Sequence, residues 1–118
     1  MPAPGGAIQD EPNRIILGEH HYIDLMPESD SGPNAGQVVG GVVYHRAPWN
    51  ESGWCGGSVF WAAGEHRVTW ELHSRDPLHI EPSVRCTHDQ DSGLVHGWIR
   101  GGRWEPIAPY HHLLEAHA

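Results

Sequence analysis

Glycine and proline interrupt this chain so often that a long helix has little room to form: together they supply 25 of its 118 residues. In a helix interior Gly costs about 1 kcal/mol and Pro about 3 kcal/mol relative to Ala, whereas both suit the tight turns between short strands. The chain is also long enough for one core and too short for two ordinary ones. The expected fold is therefore mainly β: a small single-domain β-sandwich or barrel-like sheet.

The apolar pattern agrees. Short β-branched or alternating runs bounded by turn residues predict strands near 14–17, 21–26, 37–45, 57–62, 67–73, 78–80, 95–100 and 103–107. The cleanest half-buried pattern lies where Val68, Trp70 and Leu72 alternate with Arg67, Thr69, Glu71 and His73. Gly40-Gly41 inside the Val-rich run marks a bulge or kink, and Cys55-Gly56-Gly57 reads as a turn ahead of the next strand. Residues 27–36 read as a loop on almost every position. Gly101-Gly102 between two short apolar segments predicts a hairpin over 96–107, with Trp98 and Trp104 near each other on one face. Whether Trp104 pairs with Ile99 or with Trp98 depends on the loop length, which the sequence leaves open. Only residues 110–117 have helical character.

Three segments follow: an extended arm over 1–13, a β-rich domain over 14–108 and a tail over 109–118. Neither arm has the apolar area to offset the roughly 1–2 kcal/mol per residue that ordering costs, so both are expected to be mobile in a free monomer. They would order against another surface, as in a homo-oligomer or a larger protein assembly, with residues 2–12 or Leu113 and Leu114 in the contact.

Seven Arg, no Lys and fifteen acidic residues give a net charge of −8. Phosphate neutralisation needs clustered positive charge, so no nucleic-acid partner is expected; the eleven His soften that only below about pH 6.5. No apolar run approaches the roughly 18 residues that cross a bilayer, and the opening residues lack the basic region and apolar stretch of a signal peptide. A soluble protein without membrane contact is expected, not secreted through a signal peptide.

In that setting Cys55 and Cys86, 31 positions apart, point to metal rather than to a structural disulfide. Structural zinc takes four Cys or His ligands, often two from each of two chain segments. Here one segment offers His45 and Cys55, and the other offers Cys86 with His88, followed by His96 at the start of the hairpin. The expected set is His45, Cys55, Cys86 and either His88 or His96. The alternative is that both Cys are buried small hydrophobes and the His residues lie on solvated loops. A catalytic zinc would need an open position and a nearby base; Glu51 and Asp89 are close in sequence. The pairs His20-His21 and His111-His112 are expected to face solvent, since strand neighbours point to opposite faces and chelate poorly. The six Trp are expected in core and hairpin packing, though Trp49 and Trp54 would form a contact patch if their loop folds outward.

Three stretches resemble a family of small proteins from actinobacterial phages and prophages: the Cys55-Gly-Gly-Ser turn, the segment from Trp70 through Asp76-Pro77-Leu78 and Pro82-Ser83 to Cys86, and the hairpin starting His96-Gly97-Trp98-Ile99-Arg100. The resemblance covers about residues 45–107. In the family a second Cys commonly precedes the His-Gly hairpin and completes a zinc-ligand cluster. Residues 86–93 of this chain contain no second Cys, and His88 or His96 would take its place. The resemblance implies phage origin and a small accessory or virion component, with no activity to carry over. The expected function is thus a noncatalytic phage structural protein, such as a capsid or tail decoration, located in the virion or the host cytoplasm. An intracellular effector that sets its acidic surface against a host protein is the alternative, and a zinc-dependent hydrolase the third reading.

Overall fold

The computed structural model describes residues 7–27, 38–48, 50–61, 70–85 and 95–107. The first half forms β1 (Arg14–Ile16), β2 (His21–Pro27), β3 (Val38–Arg46) and β4 (Trp54–Phe60), joined side by side in that order as one antiparallel sheet. The second half repeats the plan with β5 (Glu71–Arg75), β6 (Leu78–Arg85), β7 (His96–Arg100) and β8 (Arg103–Pro106). Each strand pairs with its neighbour in sequence, as expected where turn residues separate the strands every few positions. There is no helix among the described residues, and none is long and apolar enough to cross a membrane.

One core joins the two sheets. Leu17, Ile23, Val43, Val59 and Trp61 from the first half cluster with Leu78, Ile80 and Ile99 from the second. Strand alternation selects them, because Ile23, Val43 and Ile99 lie between residues that point the other way. Among the described residues, two backbone hydrogen bonds tie the halves together: Trp70 N–H donates to Phe60 O at 3.0 Å, and Trp104 N–H donates to Leu17 O at 2.9 Å.

The differences from the sequence expectations have local causes. β4 begins at Trp54, so Cys55-Gly56-Gly57 lies inside a strand rather than in a turn, because His45, Tyr44 and Val43 of β3 supply partners for all three residues. The irregularity expected at Gly40-Gly41 falls beside them: Met26 pairs with Gly40 and Pro27 with Val38, which leaves Val39 as the extra residue. β6 runs on through Pro82 to Arg85, and its pairing with β7 shifts between Ile80 and Val84, where proline has no N–H to give the ladder. The hairpin turns at Gly101 and Gly102, with φ of 60° and 70°, and Arg100 pairs with Arg103. A two-residue loop sets Trp104 opposite Ile99 and Trp98 opposite Glu105, so Trp98 and Trp104 are on opposite faces, contrary to the expectation of a shared one. The suggested helix over 110–117, His111-His112, Trp49 and residues 1–6 lie outside the described residues.

Candidate metal centre

The register of the first sheet puts three chemically reactive side chains in one row. His21 on β2 pairs with His45 on β3, and His45 pairs in turn with Cys55 on β4. Residues directly opposite in antiparallel strands share a face. That face is the inner one, since His21, His45 and Cys55 are only 5%, 4% and 8% exposed, and they are two or four residues along their strands from the core positions Ile23, Val43 and Val59. The strand alternation that buries the apolar residues buries these three with them.

His21 is held from the opposite sheet. Its ring stacks on Trp104 with centroids 4.2 Å apart and planes within 12°, and it lies 6.3 Å from the His45 ring. Burial, and then the neighbouring His45 and His20, push the His21 pKa down to about 3, so its imidazole is neutral at physiological pH. Neutral imidazole is the form that ligates a metal.

Beside the row is a cavity of about 260 Å³, lined by His21, His45 and Ser58 from the first sheet, by Trp70, Arg85 and Trp104 from the second half of the chain, and by a glycine of the first sheet and valines from both halves. The indole N–H of Trp70 is buried with no hydrogen-bond partner among the described residues. Arg85 ends β6, and Cys86 follows one peptide bond later.

Of the residues expected to ligate zinc, the fold brings His45 and Cys55 together as direct cross-strand partners. Cys86 and His88 lie outside the described residues, as does Asp89. His96 is not brought to the pair: it sits between the buried residues Val95 and Gly97, on the other face of β7, where its Nε2 and Ser83 Oγ share a hydrogen bond of 2.7 Å. Glu51 is exposed in the turn before β4. Among the described residues no three His, Cys, Asp or Glu side chains converge closely enough to hold an ion. Geometry agrees for the histidine pair, because Zn–N bonds of about 2.0–2.1 Å in a tetrahedron set two imidazole centroids roughly 5 Å apart, closer than His21 and His45 stand.

His21 is the residue that sequence reasoning missed. It was expected to face solvent together with His20, yet the rule that separates the two puts one of them inside. His21 shares its face with Ile23, while His20 stays outside, where the Arg46 guanidinium donates to its Nδ1 at 3.2 Å. The signal was the apolar spacing His21-x-Ile23-x-Leu25.

Fold and site together define a small two-sheet β protein with a buried imidazole–thiol row at one end of its core. No family model, curated protein or solved structure matches the chain.

Proposed function

We propose that the protein is a noncatalytic phage structural or accessory component, virion-associated, whose β domain is stapled by a structural zinc ion. The ligands in this reading are His45, Cys55, Cys86 and His88. One observation carries it: His45 and Cys55 are direct partners in a buried register, beside a cavity whose wall includes the last residue of β6 before Cys86. An imidazole and a thiol side by side form half of a Cys2His2 set, and Cys86-x-His88 supplies the same two donor types from a second segment. His96, engaged by Ser83 on the other face, is left out. The hydrolase reading has less support, since none of the described residues lining the cavity is a carboxylate able to act as general base. The phage setting rests on the motif resemblance over 45–107, and the acidic balance favours a protein lattice over DNA as the partner.

Two measurements test it. Elemental analysis of the full chain, purified without a metal-binding tag, should give one zinc per chain; Cys55→Ser and Cys86→Ser should lose it while His96→Ala keeps it. Zinc-free wild-type protein overturns the staple. Mass spectrometry of purified virions should find the chain at high copy, and its consistent absence, together with capture of a host protein from lysate, would replace the virion reading with the effector one.

A further inference from the structure

A second cluster of ligand-type side chains lies on the outer face of the other sheet, apart from the buried row. His79 and Glu81 are two apart on β6 and share a face, as do Glu71 and His73 on β5. Glu81 pairs directly with Glu71, and Ser74 pairs with His79; the register shift between Leu72 and Ser74 leaves His73 as the extra residue of a bulge. A bulge re-aims the side chain it carries. Here the two imidazoles stack, with centroids 5.0 Å apart and planes within 24°. Glu81 Oε2 is 2.9 Å from His79 Nε2 and 3.9 Å from His73 Nε2, and Glu71 Oε1 stands 3.8 Å from His73 Nε2.

This cluster contains a conflict and the means to resolve it. Two carboxylates directly opposite in a ladder repel each other, and both imidazole edges point at the carboxylate they flank. A cation among them removes the repulsion. We propose that His73, His79 and Glu81 form a solvent-exposed site for a divalent first-row transition ion, with Glu71 adding negative charge at its rim. Two imidazoles and one carboxylate suit Zn²⁺, Ni²⁺ or Cu²⁺, whereas Mg²⁺ and Ca²⁺ prefer oxygen shells. As the residues stand, no three converge at bonding distance. Bonds of about 2.0–2.2 Å separate neighbouring ligand atoms by roughly 3.0–3.5 Å, so the His79–Glu81 pair opens slightly and His73 moves in by about half an ångström. Side chains 39%, 30% and 44% exposed have the freedom to do so. The ion takes the place of the hydrogen bond between His79 Nε2 and Glu81 Oε2, with the neutral ring in the tautomer that carries its proton on Nδ1 and leaves Nε2 to bind.

The test is a titration of the full chain with Ni²⁺, read by paramagnetic broadening of the histidine ring signals in NMR. Broadening at substoichiometric ion should be confined to His73 and His79 and their neighbours, be reversed by Zn²⁺, and be unaffected by Mg²⁺ or Ca²⁺. His79→Ala and Glu81→Gln should each raise the half-saturating Ni²⁺ concentration at least about tenfold, the loss seen even for outer partners of metal sites, while Cys55→Ser leaves it unchanged. Since these side chains are on the surface, equal denaturation midpoints for the variants confirm an intact fold. Broadening spread evenly over the exposed histidines, His20 included, or unchanged binding in both variants, overturns the proposal.

Discussion

Gly97 shows how narrowly the buried row is supported. A Cβ added there would stand 2.6 Å from the Trp104 indole and 2.6 Å from Glu105 O, so the bare backbone lets Trp104 lie flat over β7 and meet the His21 ring. Gly97→Ala should cost about 1–3 kcal/mol, the usual range for overpacking, read from the urea midpoint. The same place contributes to the acid dependence of stability. His21 titrates near 6.5 when unfolded and is pushed down to about 3 when folded, so between those values the unfolded chain binds a proton that the folded chain refuses. Its contribution is complete above pH 6.5 and lost as pH falls toward 3, by about 1.4 kcal/mol per pH unit. In EDTA, so that no ion takes part, wild-type stability should therefore fall between pH 6.5 and 4.5 more steeply than that of His21→Phe, which keeps an aromatic ring against Trp104. Equal slopes would place the imidazole in contact with water.

At the scale of elements, the β7–β8 hairpin depends on two residues in the left-handed region, Gly101 and Gly102. Both central positions of the favoured two-residue turn need positive φ. Gly102→Ala should destabilise the protein by about 1–2 kcal/mol, whereas Gly101→Asn should be near neutral, because Asn-Gly is a preferred pair for this turn. Thermal denaturation of the two variants checks the contrast. On the outer face of the first sheet, β1 has only three residues and is held to β2 by more than its ladder: the Arg14 guanidinium bonds both carboxylate oxygens of Asp24, at 2.7 and 3.0 Å, and lies over the Tyr22 ring at 4.1 Å. That hydrogen bond is the main reason the Arg14 pKa is raised.

Across the whole molecule, the shared core predicts joint unfolding. Ile80 and Ile99 are fully buried on the second sheet and pack in the same cluster as Ile23 and Val59 of the first. Ile80→Ala should cost about 2–5 kcal/mol and lower a single transition followed by both far-ultraviolet circular dichroism and tryptophan fluorescence; two separated transitions would mean that the sheets fold independently. If zinc staples the domain, a chelator should lower the wild-type midpoint, and the drop should vanish in Cys55→Ser, since an ion bound only by the folded state stabilises it by mass action.

The β class, the position of nearly every strand and the Gly101-Gly102 turn were legible in the sequence, because they depend on local quantities: backbone freedom at Gly and Pro, and the two-residue period that splits a strand into wet and dry faces. The pairing of His45 with Cys55 was legible only as a shared neighbourhood, with a loop between them. Register decided the rest. A shift of one residue exchanges the faces of a strand, and register is set by what lies across the ladder, which the sequence of one strand does not contain. Tertiary pairing therefore placed His21 inside and His20 outside, carried Cys55 into a strand, turned His96 toward Ser83 and separated Trp98 from Trp104. It also brought His73 beside His79 and Glu81, through a bulge that no residue of β5 announces on its own.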